Sequence, residues 1–258
     1  MRKIDVNSYE YSNFSQNGED GIIEFLTSNL KDNNKFFVEI GSGNGLENNS
    51  TNLVLNNWQG LVLDGISNSK QYNNLLKIIS TEKKIINIGT YLNLSNVNNL
   101  IKILIDKDIS FFSLDIDSID FYIMNEILKN GILPKILCLE YNSFLGKETV
   151  TVEYHKIFNS KLLDKKRGLY FGVSLNAWKE LLNKYNYDFI CVEKKGVNSF
   201  FVLNGCLDLN VKNLYGEKFI HNKFWEKKYG LEGKILEKEL LENFNAKLVN
   251  IKEFLNSK

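Results

Sequence analysis

Cysteine is scarce and scattered in this sequence. Cys138, Cys191 and Cys206 lie far apart with no CxxC pair among them, so neither a zinc site nor a disulfide framework can be read from them. Cys138 and Cys191 sit inside apolar runs, where a free thiol packs as a small hydrophobe. Long hydrophobic runs are missing too. No apolar stretch approaches the roughly 18–20 residues that span a bilayer, and the opening Met1–Glu10 is polar. No signal peptide, transit peptide or membrane span is therefore expected, and the expected location is cytoplasmic. Neither sign of charge is in excess, with 32 Lys and Arg against 31 Asp and Glu. A dedicated nucleic-acid binder would need a basic face, so no nucleic-acid partner is expected. Proline occurs once, at Pro134, and histidine twice, at His155 and His221.

What is present suffices to fold without a staple. The chain has 258 residues, 43% hydrophobic and 12% aromatic, far from the composition of disordered chains. At this length a core buries about three-quarters of the unfolded surface. Apolar runs of strand length alternate with helical patterns, the mark of an α/β domain with a parallel sheet. The pattern predicts a helix over Asn17–Leu30, a strand at Phe36–Ile40, a helix around Asn49–Asn56, a strand at Gly60–Asp64 and a helix at Asn68–Ser80. Lys84–Ile88 reads as a strand, Ser95–Lys107 as a helix, Phe111–Asp115 as a strand and Phe121–Asn130 as a helix. Pro134 opens the strand Lys135–Glu140, where a missing ladder donor is tolerated. A polar stretch over 142–169 is the expected substrate cap. Ser174–Tyr185 reads as a helix, and Tyr187–Val192 with Asn198–Leu203 as an antiparallel hairpin across a short glycine-containing turn.

The expected fold is therefore a three-layer, Rossmann-like sheet of about seven strands with the last strand antiparallel, the sheet of class I S-adenosylmethionine (SAM) methyltransferases. It occupies residues 1–205, and 206–258 form a helical C-terminal extension. There Leu236, Leu240, Phe244, Leu248, Ile251 and Leu255 make one apolar stripe. The stripe packs back onto the domain or, as the alternative, forms a homodimer interface.

The strongest local signal is Glu39-Ile40-Gly41-Ser42-Gly43-Asn44-Gly45, between a strand and a helix. A sharp turn needs unusual backbone angles, and a ligand lying on the backbone needs no Cβ; glycine meets both needs. Dinucleotide folds require G-x-G-x-x-G, but the position three after Gly43 is Leu46. The acid Glu39 before the first glycine matches the E/D-x-G-x-G-x-G of SAM enzymes, where it accepts hydrogen bonds from the cofactor's ammonium group. Asp64, closing the next strand, is placed to hold ribose hydroxyls. The rival reading is a nucleotide-binding fold without methyl transfer, with Asp64 as a helix cap.

Several segments together resemble FkbM-type methyltransferases. They are Tyr11–Asp20 with its SQNGED, FFVEIGSGNGLENNSTNL, WQGLVLDG, Asp115-Ile116-Asp117-Ser118-Ile119-Asp120, Cys138-Leu139-Glu140-Tyr141-Asn142, Gly172–Ala177 and Gly196–Phe201. The resemblance spans roughly residues 11–203. It implies SAM dependence, with Gln16 and Glu19 folding over the cofactor and the Glu47–Asn49 stretch, Asn49 included, near its amino-acid end. The DIDSID run departs from the relatives' D-x-E-G-x-E. Taken alone, SQNGED is also a plain helix start, with Ser15 or Asn17 as N-cap.

Two acidic clusters close the fourth and fifth strands. Residues two apart on an extended strand share a face, so Asp115 with Asp117, and Glu140 with Asn142, converge if those strands are neighbours. Asp115 is also assigned to the cofactor. Such hard oxygen ligands suit Mg²⁺ or Mn²⁺, and Asp115, Asp117 and Glu140 are the candidate metal ligands. Against this, Asp120 is a natural N-cap for the following helix and loop carboxylates are commonly solvated. The candidate catalytic residues are Asp117, His155 and Glu140, with His155 in the cap as a base of suitable pKa. Tyr141, Tyr154 and Tyr170 either line the substrate pocket or are ordinary half-buried aromatics. The expected reaction is O-methylation of a small sugar-like or phosphorylated acceptor, a precursor of a surface glycan or capsule. N-methylation and a non-catalytic or NAD-type nucleotide-binding protein are the alternatives.

Overall fold

The computed structural model describes residues 3–79, 85–158, 160–244 and 247–257. Seven strands form the main sheet and are numbered here in chain order. They are β1 (Phe36–Ile40), β2 (Gln59–Asp64), β3 (Ile85–Gly89), β4 (Phe111–Leu114), β5 (Ile136–Glu140), β6 (Tyr187–Val192) and β7 (Asn198–Leu203). They lie in the order β3-β2-β1-β4-β5-β7-β6. The pairs from β3 to β5 are parallel, and β7 runs antiparallel to both β5 and β6. This is the class I methyltransferase arrangement that the hairpin pattern predicts. Lys84 and Ser80, expected to bound a strand and a helix, lie outside the described residues.

Alternation along the strands builds two apolar layers. Val38, Ile40, Phe112, Leu114, Leu137 and Leu139 face one way, against α4 (Val97–Leu104), α5 (Asp120–Lys129) and α7 (Leu175–Asn183). Phe37, Val62, Phe111, Ile136, Cys138 and Phe200 face the other, against α1 (Glu19–Ser28), α2 (Thr51–Leu55) and α3 (Ile66–Ile79). Chain direction leaves β1 toward β2 on one side and toward β4 on the other, so the loop after β1 stands at the switch point where ligands of such sheets bind.

Several expectations need correction. The extension after residue 205 is not purely helical. Leu214–Tyr215 pairs parallel with Ile4–Asp5, and Leu248–Asn250 pairs antiparallel with Val150–Val152. The apolar stripe is accordingly split between α9 (Gly233–Phe244), that strand, and α10 (Ile251–Asn256). The break has a local cause: the Asn250 side chain accepts from the Lys252 and Glu253 N–H groups and so starts a new helix. Leu236, Leu240 and Ile251 are buried within the chain itself. Residues 142–169 are more than a polar cap, since Phe144, Leu145, Val150, Val152 and Leu169 form a core with Leu236 and Leu240. Asp120 does not N-cap α5. It is the helix's first residue, and its carboxylate accepts from Ile116 and Ser118 N–H at 2.9 and 3.0 Å, closing the preceding turn.

Candidate functional site

Register gathers the site. At the carboxyl ends of the strands, Gly41 follows the Ile40↔Leu63 and Ile40↔Leu114 pairs, Asp115 follows the Leu114↔Leu139 pair, and Glu140 pairs with Asn198. Asp64, Gly41, Asp115, Glu140 and Asn198 thus make one transverse row across five strands. One pleat earlier lies a second polar row, Glu39, Ser113 and Cys138. Because the side-chain period is two, both rows share the face that carries α1 and α2. Glu39, Gly41, Asp64, Asp115 and Asn198 from these rows line an open cleft of about 1010 Å³, while Glu140 lies behind Asp115 and outside the lining; the cleft is large enough for a drug-sized or nucleotide-sized ligand.

Glycine is required in the turn after β1. Gly41 has φ 88°, and a Cβ there would stand 1.5 Å from the Asp115 carbonyl oxygen. Gly43 has φ 57° and nothing within 4 Å of a Cβ, so its bare backbone faces the open cleft. The Asp64 carboxylate braces this turn, accepting from Gly43 N–H at 2.7 Å and from Asn68 Nδ2 at 3.0 Å. It therefore both holds the loop and borders the cleft.

Glu39 lies beneath the turn, 3% exposed. One carboxylate oxygen accepts from Asn49 N–H at 2.8 Å, while Oε2 has no partner. Burial pushes its pKa up to about 7. Asn49 is fixed in turn, donating from Nδ2 to Ser113 Oγ at 2.9 Å. Gln16, Glu19, Glu39, Gly41, Gly43, Asn49, Asp64 and Asp115 all line the cleft. Gln16 donates to Glu47 at 3.1 Å, and buried Glu19 accepts from Asn17 N–H at 2.7 Å and from Asn198 Nδ2 at 2.8 Å. The expected N-cap at Ser15 is realised differently: Gly18 precedes α1 in a left-handed conformation, and Ser15 Oγ accepts from Asp20 N–H.

Asp115, Asp117 and Glu140 each bring a carboxylate oxygen within 4.8 Å of the other two. Burial, then the charges of Asp117 and Asp120, raise Asp115 well above the ordinary carboxylate range, and Glu140 is raised by burial and by Asp115. Asp117 holds a left-handed φ of 52°, the sort of strain kept where a side chain must be aimed. Asn142 does not join this group. Its Oδ1 accepts from Phe144 N–H and its Nδ2 donates to the Leu169 and Phe171 carbonyls, so it ties the chain after β5 to the loop before α7.

His155 lines the cleft from the far side, on the segment after Val152, tilted against Phe158. Among Tyr141, Tyr154 and Tyr170, Tyr141 donates to the Ile220 carbonyl and Tyr170 to that of Lys247, so both are structural. The Tyr154 hydroxyl accepts from Leu94 N–H at 3.3 Å. His221 pairs with Glu237 at 2.8 Å.

Sequence reading missed three contributors. Asn198 is 5% exposed, lines the cleft and keeps an unpartnered Oδ1; its one signal was its place opening a strand after a glycine turn. Lys156 and Lys161 also line the cleft, and nothing in their local sequence distinguishes them from other surface lysines.

No known family's sequence profile matches this chain, and no curated protein does. Several solved structures bear partial likeness to it. An O-methyltransferase from Bacillus cereus, in complex with SAH, aligns over 66% of this chain and 74% of its own length at 15% identity and TM-score 0.42. A Klebsiella pneumoniae protein assigned as an O-methyltransferase aligns over 78% of this chain and 87% of its own at 13% identity and TM-score 0.46. The N,N-8-amino-8-demethyl-D-riboflavin dimethyltransferase of Streptomyces davawensis aligns over 70% of this chain at 13% identity and TM-score 0.41, and this chain spans 51% of its length. Likeness of this degree carries no argument about activity.

Proposed function

We propose that this protein is a SAM-dependent methyltransferase of FkbM type, acting on a small sugar-like or phosphorylated acceptor destined for a surface glycan. One observation carries the reading: buried Glu39 keeps a free oxygen beneath a glycine turn whose open Gly43 is braced by Asp64. An unpaired buried carboxylate oxygen calls for a cationic donor, and the ammonium group of SAM is one. When bound, SAM supplies a sulfonium methyl, whose S–C bond breaks with its electron pair staying on sulfur as the acceptor's O–C bond forms. Gly43 would let the cofactor lie on the backbone of the turn that Gly41 makes possible, and Asp64 would hold its ribose hydroxyls. Asp117 takes the acceptor's hydroxyl proton, with His155 as the competing base from the opposite wall.

A divalent cation fits the same site. Asp115, Asp117 and Glu140 offer hard oxygens in mutual reach, and a cation there would offset the burial, and after it the mutual repulsion, that raise Asp115 and Glu140. It would orient the acceptor's oxygens beside Asp117. Exhaustive chelation that leaves turnover and cofactor affinity unchanged would sink this part of the proposal.

Calorimetric titration with SAM, S-adenosylhomocysteine and NAD tests the whole. Saturable binding of the first two and none of NAD is expected. The reverse would favour the nucleotide-binding alternative. Methylation of an amine in preference to a hydroxyl acceptor would favour N-methyl transfer.

A further inference from the structure

We infer that the methyl acceptor carries a phosphate group, held by Lys156 and Lys161; this rests on the methyltransferase reading of the same cleft. The cleft is divided by charge. Glu39, Asp64, Asp115 and Asp117 line its sheet side. Among the described residues, every lysine that lines it comes from the single segment after Val152, namely Lys156 and Lys161. Both are exposed, and neither has a carboxylate partner among the described residues. Elsewhere on the molecule Lys135, Lys166, Arg167 and Lys223 do hold such partners.

Two ammonium groups without a carboxylate partner among the described residues therefore line a ligand space whose other wall is acidic. SAM has a net positive charge, with a sulfonium, an ammonium and one carboxylate. The acidic wall suits it, and the lysine wall is left for an anion on the second substrate. Lysine binds phosphate as a point charge, whereas a planar carboxylate is better matched by the fork of arginine; no arginine lines this cleft among the described residues. A phosphorylated sugar would reach across, with its hydroxyl at Asp117 and its phosphate at the lysines. Ile157 and Tyr91, 90% and 76% exposed at the cleft, stand beside this path and would cover the sugar between them.

Pyrophosphate is the probe. Protein loaded with S-adenosylhomocysteine is titrated with pyrophosphate, and separately with malonate, at constant ionic strength. Wild type is compared with Lys156→Gln/Lys161→Gln, whose folding is checked by thermal melting. Wild type should bind pyrophosphate more tightly than malonate, and the double variant should lose roughly tenfold or more in pyrophosphate affinity while keeping its affinity for S-adenosylhomocysteine. Equal pyrophosphate binding by both proteins, or none by wild type, overturns the inference. So does preference for malonate. A parallel loss of S-adenosylhomocysteine affinity also overturns it, because the lysines would then hold the cofactor's carboxylate. Failure of wild type to bind S-adenosylhomocysteine at all is a separate reading on the same instrument, and sinks the methyltransferase proposal together with this one.

Discussion

Glu39 is an ionisable group in a place where folding alone would not put one. Its pKa, pushed from the ordinary 4.5 to about 7 by burial, corresponds to roughly 3 kcal/mol of unfavourable ionisation. Glu39→Gln should therefore raise the melting temperature of the ligand-free protein near neutral pH. The same change should weaken SAM binding roughly ten- to a hundredfold, since a charged hydrogen bond is lost; melting and calorimetry on one preparation check both. A variant that is more stable and binds as well would contradict the assigned role. Gly41 shows the opposite logic. With a Cβ forced to within 1.5 Å of the Asp115 carbonyl, Gly41→Ala must push β1 and β4 apart at the turn. It should cost about 3 kcal/mol or more in urea unfolding.

At the scale of elements, the segment with Lys156 and Lys161 is anchored from the far end of the chain. Val150–Val152, which leads into it, pairs with Leu248–Asn250, and α10 follows directly against α7. Ile251 is fully buried in the main core, and Phe254 sets its ring against Phe121 and Tyr122. Ile251→Ala should cost about 2–5 kcal/mol in denaturant unfolding, and Asn250→Ala about 1 kcal/mol through the lost cap. If the pairing positions the acceptor wall, Asn250→Ala should raise KM for the acceptor more than it changes the dissociation constant for SAM. Equal effects on both would mean the tail serves stability only.

Over the whole molecule, net charge of +1 conceals buried acids with raised pKa values. Burial pushes Glu39 and Glu193 to about 7 and Asp120 to about 6. In each case the folded state binds protons that the unfolded state has already released. Stability of the ligand-free protein should thus fall as pH rises from about 4.5 to about 7. Bound SAM, which favours ionised Glu39, should flatten part of that slope. Melting curves across this range with and without S-adenosylhomocysteine, which keeps the ammonium, decide it; parallel curves would argue that Glu39 does not meet the cofactor.

The strands and the glycine turn were legible because their signals are local. Tyr187–Val192 and Asn198–Leu203 are bounded as the apolar runs predict, since a run of alternating contacts needs only its own neighbours. Glu39, Gly41 and Asp64 followed from one turn and the strand after it. The C-terminal stripe packs back onto the chain as its spacing predicts, but apolar spacing cannot register a cap such as Asn250, which restarts the chain in another direction. Asn142 misled because two bonds to carbonyls some thirty residues away turn it from the cleft. Asn198 lies 58 residues from Glu140, and only the antiparallel register of β5 and β7 makes them partners. The local chemistry of the chain settled which residues bend, alternate and ionise. Which of them meet was decided by strand order and register, because a cleft at the end of a sheet is a property of neighbours in space.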